Sequence, residues 1–337
     1  MVQLTLSEKT TERSFTLLGG SYMKVIQLMY PYQISSDKME GPYSLAVGFF
    51  DGVHRGHQAV IEEAKKQAKD KNLKLAVMTF NPHPSIVLGQ HKEQVFYITP
   101  LSQKLEILEE LQVDTVFVVR FTSDFAKLSP QQFIDVFIRN LNIQHVTAGF
   151  DFTFGAMGRG TMKDLHEMSN GDYEVSIVEK QLQDSDKISS TRIRHALEKG
   201  DMELVRELLG RPYQIPGIVV HGDKRGRQIG FPTANVQEAE GTFIPANGVY
   251  AVRLQVQNEW HDGVCNVGYK PTFKNPDEKN LTIEVYINNF DKNIYGEEVK
   301  VDWYKYLRGE QKFDGIESLK AQIELDKQHA MEYLSHC

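Results

Sequence analysis

The sequence predicts an α/β domain built on a doubly wound parallel sheet, followed by an antiparallel β-barrel with a C-terminal helix. Three observations predict it. At 337 residues the chain exceeds what a single hydrophobic core usually organises, so two domains are the default. From Ser44 to about Lys180, apolar strand-like runs alternate with helical patterns, the rhythm of a parallel α/β sheet. Beyond Pro212 the runs are short and alternating, are separated by Gly, Pro and Asn, and have no helices between them, which reads as a barrel or sandwich.

In chain order, residues 1–22 are rich in Ser and Thr and lack the basic start and apolar core of a signal peptide, so they read as a flexible extension. A more regular pattern begins at Met23. Strand-like runs then fall at 45–50, 73–80, 115–119, 145–150 and 173–178. Between the first two, Val60, Ile61, Ala64 and Ala68 share one helical face, and Glu62, Glu63, Lys65 and Lys66 fill the other. After Ser189, Ile193, Ala196 and Leu197 form an apolar side. Gly200-Asp201 then stops one helix and caps the next, which carries Leu204, Val205, Leu208 and Leu209 up to Gly210-Arg211-Pro212. The domain boundary is placed there: extension 1–22, first domain 23–210, second domain 211–337. The second domain has runs at 215–221, 248–255, 260–267, 281–287 and 299–303, and a closing helix with Ile316, Leu319, Ile323 and Ala330 on one face.

Composition narrows the function classes. Apolar residues plus glycine make up about half of the chain, as in ordinary globular proteins. A net charge of −7 argues against a general nucleic-acid binder, since counterion release needs a basic surface. No apolar stretch approaches the length that spans a bilayer. Cys265 and Cys337 form no metal-ligand or redox pair by spacing, and a reducing cytoplasm suits them best.

The first chemical constellation is Gly48-Phe49-Phe50-Asp51-Gly52-Val53-His54-Arg55-Gly56-His57, between the first strand and the first helix of the repeating pattern. In an open α/β sheet, ligands bind there. Two imidazoles at a helix start, with Gly52 and Gly56 letting backbone come close, can donate hydrogen bonds to phosphate oxygens at the positive end of the helix dipole. That suggests phosphoryl or nucleotidyl transfer. On spacing alone the pair is equally well a polar helix cap. A zinc site is disfavoured, because no third ligand follows at a characteristic spacing.

This turn resembles the histidine signature of the nucleotidyltransferase superfamily. Together with Thr79-Phe80-Asn81-Pro82-His83-Pro84, Gly149-Phe150-Asp151-Phe152-Thr153-Phe154-Gly155 and Ile188-Ser189-Ser190-Thr191-Arg192-Ile193-Arg194, it is similar to the prokaryotic bifunctional riboflavin kinase/FMN adenylyltransferase family. The resemblance implies that His54 and His57 act on the transferring phosphate, with Gly52 and Gly56 beside it. It also implies that Ser189, Ser190, Thr191 and Arg194 bind ATP phosphates, and that Asn81, His83 and Asp151 meet the flavin. Read from the residues alone, Ser189 and its neighbours are also an ordinary N-cap, and His83 between two prolines is also a rigid turn.

The second constellation, Gly222 to Asn235, is basic and glycine-rich, suited to a phosphate tail or simply to solvation. It is similar to the riboflavin kinase signature. The resemblance implies ATP contacts from Gly222, Arg225 and Gly226, Mg²⁺ ligation by Thr233 and Asn235, and flavin binding by Arg308 in Leu307-Arg308-Gly309-Glu310-Gln311-Lys312-Phe313. It also places the catalytic glutamate at Glu284. By pattern, Glu284 is only a polar-face residue of 281–287. Phosphorylating an alcohol, however, requires a base for its proton, and a carboxylate supplies one.

The expectation is therefore a cytoplasmic transferase using ATP and Mg²⁺, with riboflavin, FMN and FAD as substrates or products and with neither nucleic acid nor membrane as partner. One rival is a flavin-binding regulator with one degenerate half. The other is an adenylyltransferase for a different phosphorylated metabolite, against which the attached kinase half argues.

Overall fold

The computed structural model describes residues 10–16, 22–32, 41–89, 95–222, 226, 229–271 and 279–337. The chain divides into two compact units, Met1–Val95 with Leu101–Ile188, and Phe96–Pro100 with Ser189–Cys337.

The first unit is a seven-stranded sheet of β1 (Thr10–Thr16), β2 (Tyr22–Leu28), β3 (Tyr43–Val47), β4 (Lys74–Asn81), β5 (Thr115–Arg120), β6 (Ile143–Gly149) and β7 (Glu174–Val178). The order is β1-β2-β5-β4-β3-β6-β7. β1 is antiparallel to β2, and every other pairing is parallel. Part of the stretch expected to be a flexible extension thus forms an edge strand. A hairpin of β8 (Leu182–Gln183) and β9 (Asp186–Lys187) follows.

Successive residues on the strands bury into opposite cores, as the two-residue period requires. On one face Leu45, Val47, Ala76, Met78, Phe80, Phe117 and Val119 pack with Phe133 and Phe137. On the other, Ala46, Leu75, Val77, Val116 and Val118 pack with Val60, Ile61, Ala64 and Leu108. α1 (Arg55–Lys71) and α3 (Leu101–Glu110) supply the second face. α2 (Pro84–Val87) is a single turn, and α4 (Pro130–Ile134) and α5 (Met162–Glu167) line the first face. The residues that α1 buries are the Val60, Ile61, Ala64 and Ala68 stripe expected from the sequence. β3 has β4 on one side and β6 on the other, so the chain reverses its direction of winding beside β3, where open α/β sheets bind ligands.

The second unit is a closed barrel of β10 (Tyr213–Val220), β11 (Thr233–Glu238), β12 (Gly248–Val256), β13 (Glu259–Pro271), β14 (Lys279–Ile287) and β15 (Glu298–Arg308), in the order β10-β11-β14-β13-β12-β15. All of its pairings are antiparallel. Val236, Val252, Leu254, Cys265, Val267, Ile283, Val285, Val301 and Trp303 are among its buried residues. β11 begins inside the glycine-rich Gly222–Asn235 stretch and is not among the strand-like runs expected from the sequence.

α6 (Ser190–Lys199) and α7 (Met202–Leu209) belong to this unit, although the sequence pattern groups them with the first domain. The reason is close packing at the left-handed Gly200 between them: a Cβ there would lie 2.9 Å from the Tyr306 ring and 3.1 Å from the Tyr250 hydroxyl. Ala246 N–H also donates to the Leu197 carbonyl at 3.0 Å.

The last helix, α8 (Ile316–Leu334), buries Asp326, Ala330 and Leu334. Of the expected stripe, Ala330 is buried and Leu319 and Ile323 are half-buried, whereas Ile316 in the first turn is 59 % exposed. Asp326 and Leu334 extend that same face: Asp326 pairs with Arg308, and the final turns cover Val249, Ala251 and Val264.

Candidate functional site

In the first unit the turn after β3 is strained and over-determined. Phe50, Gly52 and Val53 all have positive φ, at 54°, 88° and 40°, a costly conformation for the two with side chains. Val53 is fixed by its own carbonyl, which accepts from Gln58 Nε2 at 2.8 Å. His54 caps α1, its Nδ1 accepting the His57 backbone N–H at 3.2 Å. Because Nδ1 accepts, the proton of neutral His54 sits on Nε2, where it can serve an anion as donor. The two imidazoles stack with centroids 3.5 Å apart, and the Phe50 ring meets His57 edge-on at 5.3 Å. Gly56 makes room: a Cβ there would lie 3.1 Å from His54 Cε1. The cap reading and the phosphate reading of the sequence are thus compatible, since one nitrogen of His54 caps and the other can donate.

Asn81 ends β4, and the Asn81–Pro82 peptide is cis. His83 caps α2 through Nδ1, which accepts Ser85 N–H at 3.1 Å, and its ring meets Phe49 at 4.5 Å. Thus the turns after β3 and β4 touch. Asp151, after β6, is ion-paired to Lys187, whose Nζ lies 4.7 Å from the centroid of the Phe150 ring.

In the second unit Ser189 caps α6, its Oγ accepting Arg192 N–H at 3.2 Å, and Ser190, Thr191 and Arg194 follow in the first turns. On the barrel, Asn235 of β11 pairs with Glu284 of β14, and Glu284 pairs with Asn266 of β13. Residues paired in register share a face, so these three side chains form a row, with Thr233 one step along from Asn235 on the same face. The intervening Ala234, Val236, Ile283 and Val285 are buried. A Cβ at Gly222 would overlap the Asn235 amide, and one at Gly226 would overlap the Phe231 carbonyl and lie 3.5 Å from Thr233 Oγ1. The two glycines therefore pack onto Asn235 and Thr233. Arg225 lies outside the described residues. Arg308 grips Asp326 with Nε at 2.9 Å and Nη2 at 2.7 Å, and its Nη1 donates to the Gly309 carbonyl. Its guanidinium thus faces α8 and the loop that follows β15.

A family model for FAD synthetase matches residues 36–192, and one for riboflavin kinase matches residues 209–334. Curated relatives described as bifunctional riboflavin kinase/FMN adenylyltransferase, from Bacillus subtilis and Listeria monocytogenes, are each 50% identical over 314 residues, 93% of this chain and 99% of theirs. The chain belongs to the bifunctional riboflavin kinase/FMN adenylyltransferase family. A crystal structure described as a macrolide-efflux protein from Streptococcus pneumoniae is similar too, with 35% identity and a TM-score of 0.81 over 90% of this chain and 98% of that one. That description concerns that protein. Among the described residues of this chain, no helix is long and apolar enough to cross a membrane.

In this member of the bifunctional family, three side chains at the sites escape sequence reasoning: Lys104, Lys187 and Asp326. Lys104 leaves a signal. It stands at i+3 from Leu101 and i−4 from Leu108, a charge on an otherwise apolar helix face. The other two depend on tertiary pairing and leave none.

Proposed function

We propose that this chain converts riboflavin to FAD in two steps, phosphorylating riboflavin on the barrel and adenylylating FMN at the sheet, with the division of labour near residue 210. The observation that carries the reading is the Thr233, Asn235 and Glu284 constellation, which sets a carboxylate beside a hydroxyl and an amide on one barrel face. In the kinase step Glu284 takes the proton of the ribityl 5′-hydroxyl, the freed oxygen bonds to the γ-phosphorus of ATP, and ADP leaves.

Hard oxygen donors of this kind suit Mg²⁺, which typically uses one or two protein ligands with phosphates and waters. The residues present therefore fit the ion: Thr233 and Asn235 would hold it, and when bound it would offset charge on the ATP phosphates. Glu284 orients the acceptor alcohol. Gly222, Arg225 and Gly226 bring backbone and charge to the phosphate tail, and Arg308, steadied by Asp326, borders the flavin.

In the second step an FMN phosphate oxygen bonds to the α-phosphorus of a second ATP and pyrophosphate leaves. No strong base is needed. His54 and His57, at the positive end of the 17-residue α1, stabilise the charge on the transferring phosphate, with Gly52 and Gly56 admitting it closely. Ser189, Ser190, Thr191 and Arg194 bind ATP phosphates, while Asn81, His83 and Asp151 contact the flavin. The net charge of −7 supports small-molecule substrates rather than nucleic acid. Two free cysteines, Cys265 buried and Cys337 exposed, support a reducing cytoplasm.

The test is incubation of the chain with riboflavin, ATP and Mg²⁺, followed by chromatography of the flavins. FMN and then FAD are expected. A chain that forms neither, under oxidising or reducing conditions, would sink the reading.

A further inference from the structure

Lys104 is 2 % exposed, and neither reaction step above assigns it a part. Burying an ammonium is expensive unless its protons are taken up. Its Nζ donates to the Phe49 carbonyl at 2.7 Å and to Thr79 Oγ1 at 3.2 Å. Thr79, itself fully buried, donates to the same carbonyl at 2.9 Å. The Phe49 ring lies over the ammonium, with its centroid 4.5 Å from Nζ, and meets His83 on its other contact. One lysine therefore holds the peptide just before the left-handed Phe50 and the aromatic ring that joins the turns after β3 and β4.

The consequence is geometric. In a trans peptide the carbonyl and the next N–H point in opposite directions, so fixing the Phe49 carbonyl against Lys104 aims the Phe50 N–H away from the buried ammonium. It also pins the entrance to a turn whose positive φ values at Phe50 and Val53 need outside support. We propose that Lys104 is a positioning residue for FMN adenylylation, its buried ammonium holding the Phe49–His57 turn and the His83 turn in their reactive arrangement. This rests on the adenylyltransferase reading of the sheet unit. Burial pushes the ammonium down to about 8 and the Asp51 carboxylate pulls it back, so the group is mainly charged at neutral pH.

The experiment uses the full chain and two variants, Lys104→Met and Lys104→Gln, with FAD formation from FMN and FMN formation from riboflavin measured on each preparation. Lys104→Met should lower the adenylylation kcat by about tenfold to a hundredfold, with KM for ATP and FMN shifted by no more than about threefold and riboflavin phosphorylation unchanged. Lys104→Gln, which keeps an N–H donor near the Phe49 carbonyl, should retain more adenylylation than Lys104→Met. Unaltered adenylylation in Lys104→Met would overturn the inference. So would loss of far-UV circular dichroism in both variants, which would make the lysine purely structural. A parent chain that makes no FAD from FMN would instead overturn the adenylyltransferase reading, and this inference with it.

Discussion

Glu284 sits between Asn235 and Asn266 in the barrel wall, and its isosteric replacement separates chemistry from folding. Glu284→Gln keeps size and hydrogen-bonding reach and loses only the base. Riboflavin phosphorylation should fall by about a hundredfold or more, while FAD formation from supplied FMN persists. Assaying both reactions on one preparation, with its thermal melting checked, tests this; kinase activity within a few-fold of the parent would strip Glu284 of its role. His57→Ala should do the reverse, cutting FAD formation by about a hundredfold with FMN formation intact, because it removes a preorganised group at the start of α1. Normal FAD synthesis from FMN in that variant would remove His57 from the mechanism. The histidines are legible in the sequence because glycines and a helix start mark them locally. Glu284 is not legible from pattern alone. Alternation assigns it a face, and only strand register gives it neighbours.

Among the elements, those whose pattern is self-contained are legible in the sequence, and those defined by partners are not. α1 shows its whole buried stripe in the sequence, and β3, β4 and β5 show as apolar runs because both of their faces are buried. β11 is short and begins with Thr233-Ala234-Asn235, too polar to announce a strand, and exists because β10 and β14 flank it. The apolar period of α8 points to the right face but passes over Asp326, which is buried there because Arg308 holds it, a pairing that no helical period can signal.

Two predictions belong to this scale. Gly56→Ala should leave α1 helical, alanine being a good helix former, yet its Cβ would press on the His54 cap ring at 3.1 Å. Adenylylation should fall about tenfold with an unchanged far-UV circular dichroism spectrum; full activity would show that the cap ring can yield. On β15, burial raises the Asp302 carboxyl from its ordinary 3.8 to about 6, against the Gln214 hydrogen bond and the charges of Lys300, Arg253 and Arg211, which pull it down. An acid raised in this way favours the fold below its unfolded value, and that contribution is lost as pH rises through about 6. Asp302→Asn should therefore be more stable than the parent by about 1–2 kcal/mol at about pH 7.5, partial exposure reducing the full effect, and the gain should vanish toward about pH 4. A gain that does not change with pH would contradict burial of the carboxylate as its cause.

For the molecule as a whole, the two tryptophans of the sequence, Trp260 and Trp303, lie on β13 and β15, so their fluorescence reports unfolding of the barrel and not of the sheet. Asp302→Asn should shift the fluorescence-monitored transition, and Lys104→Met should leave it in place. Shifts of the opposite assignment would show that the two units do not melt as the probes imply. Every barrel strand is hydrogen-bonded on both sides, so the alignment of Asn235, Glu284 and Asn266 is a property of the closed ring. Sliding β14 by one residue would exchange Glu284 with Val285, putting the base in the oil and the valine in the water. A slide by two would restore the faces but change the shear number, and all six strands would have to accept a new tilt. Insertions that keep this enzyme working therefore belong in the turns between the strands.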